Sequence, residues 1–235
     1  MDNFKEIYNN QAFEYHRMIA REDVEGNLLP AMQRILPLKG KRLLDLGSGT
    51  GRIPLLVHSL ASQVIALDAA HAMLLEQKDR RAQVQGHWPL VQGDVRRLPF
   101  PAGWADLVTA GWAAGHFCGW YPQTWKEHIG QFVREMQRVV KPGGVLMIFE
   151  TLTTGSLSPV PPTAKLAAYY QWLERNWGFS RTIIRTDYQF ASVEQAVEHT
   201  EFFFGSDLAE TIRQQGWSRL PEWTGLWHKV KERED

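Results

Sequence analysis

Three glycines at alternate positions, Gly47, Gly49 and Gly51 in "LLDLGSGTGRIPLL", stand where one apolar run ends and another begins. Glycine adopts positive φ and carries no Cβ to hold a ligand away from the main chain, so this spacing between a strand and a helix builds a ligand cradle. The helix that opens there presents free N–H groups and the positive end of its dipole, which suits a carboxylate or a phosphate. Pro54 does little harm in its first turn, where N–H groups lack intrahelical partners. Just upstream, Asp45 lies inside an apolar strand. A carboxylate there is costly unless paired; an ammonium would be a suitable partner, and capping of local N–H groups is the alternative use. Farther along, "AGWAAGHFCGWYP" carries His116, whose imidazole titrates near neutrality and can take a proton from an oxygen or nitrogen nucleophile. Around it Trp112, Trp120 and Tyr121 can wall an apolar ligand or face a cation, or simply pack as core. Cys118 reads as a small buried hydrophobe, and with His128 it lacks the clustered spacing of a zinc site, so no metal is expected.

The elements that must position these residues alternate in type. From 42 to 150, "RLLDLG", "QVIALD", "WPLVQGD", "ADLVTAGW" and "GGVLMIFET" read as strands. Helical stretches such as "GRIPLLVHSLAS", "AAHAMLLEQKDRR" and "TWKEHIGQFVREMQRVV" separate them. Strands apolar on both faces, taking turns with helices, imply a parallel sheet covered on both sides: a doubly wound α/β layout. "KPGG" at 141–144 is expected to stop a helix and turn tightly into the next strand. Upstream, 1–38 reads as two or three helices that pack over an edge of the core, with Phe4, Tyr8 and Tyr15 at near-helical spacing. Downstream, 155–180 is a proline-rich loop and a helix crowded with Tyr169, Tyr170, Trp172 and Trp177, an insertion expected to share in specificity with the N-terminal helices. "RTIIRTDYQF" reads as a strand, "SVEQ" at 192–195 as a capping box, "DLAETIRQQ" as a helix stopped by Gly216, and "WTGLWHKVK" as a final strand.

Composition narrows the classes. With 235 residues, 44% of them hydrophobic, one large globular domain fits. Lys+Arg and Asp+Glu both number 26, so no electrostatic footprint for nucleic acid or an anionic membrane is expected. No apolar stretch approaches the roughly 18 residues of a membrane helix, and the single cysteine suits a reducing, cytoplasmic setting.

A dinucleotide fingerprint would place its third glycine at position 52, which is Arg52. "LLDLGSGTGR" instead resembles motif I of the class I S-adenosylmethionine (SAM)-dependent methyltransferases, an acidic residue followed by G-x-G-x-G. "LPF", a short gap and "ADLV" are similar to the small-molecule branch of that family, the type 11/25-like methyltransferases. The resemblance covers roughly 40–150. It implies a Rossmann-like, seven-stranded, mostly parallel sheet with an N-terminal helical lid (1–38), a SAM-binding core (40–150), an insertion after strand 5 (155–180) and C-terminal helices and strands (181–235) in one domain. It implies that Asp45 holds the methionine amino group, that Asp68 takes both ribose hydroxyls, and that Asp94, with the Val95 N–H, meets the adenine. In ordinary local chemistry, Asp68 can instead serve as a helix N-cap and Asp94 as a turn aspartate. Cofactor contacts are implied at Tyr15, Asp45, Leu46, Gly47, Ser48, Gly49, Thr50, Gly51, Asp68, Ala69, Met73, Gly93, Asp94, Val95, Ala110 and Gly111. Acceptor contacts are implied at Tyr8, Trp112, His116, Trp120 and Tyr121, with His116 as the catalytic base. The expected reaction carries a methyl group from SAM, leaving S-adenosylhomocysteine, to an O, N or C nucleophile of a small aromatic or lipophilic molecule. The expected partners are that acceptor alone, with no nucleic acid or membrane, and the expected state is a monomer or homodimer. A SAM-binding regulator without transfer activity and a nucleotide-dependent oxidoreductase are the alternatives.

Overall fold

The computed structural model describes residues 4–233. Three helices come first, α1 (Phe4–Asn10), α2 (Ala12–Ile19) and α3 (Leu28–Ile35). The alternating core follows: β1 (Arg42–Leu46), α4 (Arg52–Val57), β2 (Gln63–Asp68), α5 (His71–Gln83), β3 (Leu90–Gln92), β4 (Ala105–Gly111), α6 (His116–Trp120), α7 (Trp125–Val139) and β5 (Val140–Thr151). The remainder is α8 (Ala164–Trp177), β6 (Ser180–Arg185), β7 (Tyr188–Gln189), α9 (Val193–Phe204), α10 (Ser206–Gln215), β8 (Arg219–Leu220) and β9 (Trp223–Val230).

Seven strands form one sheet in the order β3-β2-β1-β4-β5-β9-β6. The first five pair in parallel, and β9 runs antiparallel between β5 and β6. Strand side chains alternate between faces, and both faces are covered. Leu44, Leu46, Val108, Ala110, Leu146 and Ile148 pack with Ile129, Phe132, Val133 and Met136 of α7. Their neighbours Leu43, Leu107, Val145, Met147 and Phe149 pack with Leu28, Ala31 and Met32 of α3 and Ile53 and Val57 of α4. This two-sided burial is why the strands read as continuous apolar runs. The sheet reverses direction of winding at β1/β4, and the cradle loop leaves β1 at that switch point, where open α/β sheets receive ligands.

Several local expectations need correction. "KPGG" lies inside β5: Val140 pairs with Ala105 and Val145 with Leu107, so 141–144 bulge opposite Asp106, whose carboxylate pairs with Lys141. Gly144 is obligatory there, because a Cβ would stand 2.8 Å from the Asp106 carbonyl oxygen. "RTIIRTDYQF" is two strands. Buried Asp187 accepts from Arg185, from Arg219 (2.8 Å) and from the Glu222 N–H (3.0 Å), turning the chain so that β7 pairs with β8. Ser192 caps α9 by accepting from the Gln195 N–H, but Gln195 Oε1 accepts from the Ala191 N–H, one residue before the expected partner.

The larger corrections concern the flanking helices. Met18 and Ile19 of α2 bury against Ala196, Val197, Ala209 and Ile212 of α9 and α10, not over a sheet edge. Of the aromatics of 155–180, Tyr169, Tyr170 and Phe179 are core, and Trp172 and Trp177 pack half-buried against it. Tyr169 and Tyr170 pack in the α7-side cluster, where their hydroxyls donate to Glu150 (3.3 Å) and the Thr151 carbonyl (2.8 Å). Buried tyrosines need such polar outlets, and β5 supplies them.

Candidate functional site

A cavity of about 360 Å³ opens beside the cradle. Its floor is the loop after β1, where Gly47, Gly49 and Gly51 take φ of +63°, +53° and +94°. Two of these glycines matter for different reasons. At Gly47 a Cβ would come 2.6 Å from that of Ala113, so the main chain of the loop after β1 lies directly against the Ala113 methyl in the loop after β4. At Gly49 nothing stands within 4 Å, and the requirement is the left-handed backbone alone.

Asp68, the last residue of β2, lines the cavity. Its two oxygens accept from the Gly49 and Ala70 N–H groups, each at 2.8 Å, tying the cradle to the start of α5. Burial raises its pKa against the pull of those N–H groups. Asp45 is 1% exposed and accepts from the Thr109 hydroxyl at 2.6 Å. Among the described residues no cationic side chain pairs with it, and burial pushes its pKa up to about 7. It lines a second, smaller cavity continuous in lining with the first.

The opposite wall comes from α1 and from the segment after β4. Tyr8 and Nε2 of His116 share a hydrogen bond of 2.8 Å, and the His116 ring stacks on Trp120 at 5.1 Å. Trp112 holds φ of +52°, a strained setting for a bulky residue. It is clamped between Phe149 (5.7 Å) and the Arg52 guanidinium (3.9 Å). At the mouth Asp94 is gripped by Arg96 through Nε (2.9 and 3.1 Å) and Nη2 (2.6 Å), which holds its carboxyl below the usual range.

Of the residues singled out in the sequence, Tyr8, Tyr15, Gly47, Gly49, Asp68, Ala69, Met73, Asp94, Val95, Gly111, Trp112, His116, Trp120 and Tyr121 line the large cavity. Asp45, Ser48 and Thr50 line only the small one. Leu46, Gly51, Gly93 and Ala110 line neither: Leu46 and Ala110 are fully buried, Gly51 abuts Gln77 and Gly93 abuts Leu67. Among the described residues none of 155–180 reaches either lining. Sequence reasoning passed over Lys5 and Asn9, which share a turn of α1 with Tyr8 and could have been found by that spacing. It also passed over Arg96 and Phe117, and it used Arg52 only to argue against a dinucleotide.

A parallel sheet with this strand order, a glycine cradle at its switch point and carboxylates at the ends of β1 and β2 define a Rossmann-like class I methyltransferase core. Comparison places the chain more closely. Residues 44–148, a little under half of the chain, match the methyltransferase domain family, and this match together with the relatives below supports a class I SAM-dependent methyltransferase. The chain is 31% identical over 149 residues to a malonyl-[acyl-carrier protein] O-methyltransferase of Legionella pneumophila, covering 62% of this chain and 48% of that one. It is 32% identical over 167 residues to a ubiquinone/menaquinone biosynthesis C-methyltransferase of Pseudomonas fluorescens, covering 63% of this chain and 62% of that one. The chain thus spans between about a third and a half of the length of the first curated relatives it matches, 48%, 32% and 51%. It shares its fold, at a TM-score of 0.61 and 17% identity, with Haemonchus contortus phosphoethanolamine N-methyltransferase 2, covering 98% of this chain and 59% of that one. Among the described residues, no helix is long and apolar enough to cross a membrane.

The residues present fit the family's cofactor. A cradle that a Cβ at Gly47 would disrupt and a buried carboxylate lacking a cationic partner are what an adenosyl ligand with an amino-acid tail requires.

Proposed function

We propose that this protein transfers a methyl group from SAM to an O, N or C nucleophile of a small molecule. The observation that carries the reading is that the glycine cradle and Asp68 open onto the same cavity as His116 and its aromatic wall. Three relatives that differ in acceptor, two by sequence and one by fold, are all methyltransferases, which supports the reaction and leaves the acceptor to the cavity. The bound cofactor supplies an electrophilic methyl group. The loop 47–51 follows its backbone, Asp68 accepts from the ribose hydroxyls, and Val95 with Asp94 meets the adenine edge. Helices α1 and α2 serve as a lid that excludes water and aligns the acceptor, the main demands of an in-line displacement. An acceptor that loses a proton gives it to Nε2 of His116, in place of the Tyr8 hydroxyl or through it. The aromatic wall of Trp120, Phe117 and Tyr121 favours an aromatic or lipophilic acceptor.

Calorimetric titration with SAM, S-adenosylhomocysteine and NAD tests the reading. The two sulfur ligands should bind and NAD should stay silent; binding of NAD alone would replace the proposal with the oxidoreductase alternative. Production of S-adenosylhomocysteine with a panel of aromatic and lipophilic acceptors then separates an enzyme from a regulator that only binds.

A further inference from the structure

The charges lining the large cavity are distributed unevenly. Its acidic side chains are Asp68 and Asp94, and both are engaged, Asp68 by the Gly49 and Ala70 N–H groups and Asp94 by the Arg96 guanidinium. Arg96 is occupied in turn, its Nη1 sharing a hydrogen bond of 2.8 Å with Nδ1 of His128. The opposite wall differs. Lys5, Tyr8 and Asn9, on one face of α1, stand there with His116 and Trp120. Nζ of Lys5 lies 4.8 Å from the centre of the Trp120 ring, on which the His116 imidazole stacks at 5.1 Å. Among the described residues no carboxylate pairs with Lys5, and no acidic side chain lines this wall. The Trp120 Nε1 is buried and also lacks a hydrogen-bond partner among them. This wall therefore offers a cation and donors, which a negatively charged, oxygen-bearing group complements.

We propose that the methyl acceptor is an aromatic acid whose carboxylate pairs with Lys5 while the group to be methylated is directed to His116. The inference rests on the function proposed above and adds the chemical class of the acceptor. Geometry sets the length of the molecule. The ammonium and the imidazole each lie about 5 Å from the centre of one indole ring, so the span between them suits an acid of one or two rings. Its ring meets Phe117 and Tyr121 on the same wall, where apolar burial and aromatic contact hold it. Lys5 is exposed at the rim, so solvent and salt screen its pull on the carboxylate. The ion pair accordingly selects more than it binds: a neutral amide of the same shape keeps the aromatic contacts and loses only the charge.

The test is calorimetry on the full chain saturated with S-adenosylhomocysteine, titrated with 4-hydroxybenzoate, 2-naphthoate and indole-3-acetate and with the amide of each. At least one acid should bind about fivefold more tightly than its amide, the upper end for an ion pair in contact with solvent, and added salt should shrink that ratio. Lys5→Met, which keeps an unbranched chain over Trp120, should bring the ratio to about one and leave affinity for the amides and for S-adenosylhomocysteine within about twofold. An acid preference that survives Lys5→Met would overturn the inference. So would wild-type protein that binds acids and amides alike, or that binds none of these probes, results that need no variant to fold. If S-adenosylhomocysteine itself does not bind, the adenosyl reading fails before any acid is added, and this assignment with it.

Discussion

The two walls of the cavity are built by opposite means. The cradle is main chain: three glycines in five residues, held by N–H bonds to Asp68 and by contact with Ala113. The acceptor wall is side chain, and its central contact, Tyr8 to His116, joins residues 108 positions apart. A site made of backbone carries its geometry in local sequence, whereas one made of side chains exists only when distant elements dock. The cradle should therefore fail abruptly under small substitutions, and the acceptor wall should tolerate change in binding while losing rate.

The sharpest division comes from His116→Ala. Turnover should fall about 10²- to 10⁴-fold, the usual worth of general acid–base catalysis, with S-adenosylhomocysteine affinity unchanged in calorimetry; a fully active variant would reduce His116 to packing. On the cradle side, Gly47→Ala combines positive φ with a 2.6 Å clash. It should lose about 2–4 kcal/mol of stability in urea unfolding, from backbone strain and overpacking, and bind cofactor poorly, whereas Gly49→Ala, with open space around its Cβ, should lose about half as much or less.

Smaller effects distinguish the walls by pH. Asp45 must be ionised to hold an ammonium, and its pKa stands near 7. Affinity for S-adenosylhomocysteine should thus fall about tenfold per pH unit below 7, and Asp45→Asn should flatten that profile. The free protein has the opposite sign. With a folded pKa above the unfolded value of about 4, the unfolded chain releases its proton first, so this group's contribution to stability is complete below about pH 4 and is lost as pH rises through 7. Asp45→Asn should therefore stabilise the ligand-free protein more at pH 8 than at pH 5 in thermal melts. Least of all, Tyr170→Phe removes one hydroxyl bond to Thr151 and should cost about 1 kcal/mol with no change in acceptor preference; a changed preference would return the insertion to the site.

This contrast also explains what could be read from the residues alone. The strands of the sheet were legible because each is a short, β-rich run closed by a turn, and the cradle because glycine spacing is a statement about φ. The aromatic crowd at 169–177 misled, since tyrosine and tryptophan satisfy both a ligand wall and a core, and only the β5 carbonyl and Glu150 decide between them. Arg96 could not be assigned because its partner, Asp94, lies two residues away in a turn whose shape no periodicity encodes.

The resting place of the first helices has a consequence for how the chain acquires its site. Phe4 and Tyr15 meet Phe203, and Met18 and Ile19 are buried among residues as far along as Ile212. On a ribosome these helices emerge long before α9 and α10, which supply part of their support. The sheet waits as well, because β9 must slip between β5 and β6 before β6 has a neighbour. Contacts of such sequence separation slow folding, so a nascent chain stalled before α9 would lack the packing that buries Met18 and Ile19 of α2.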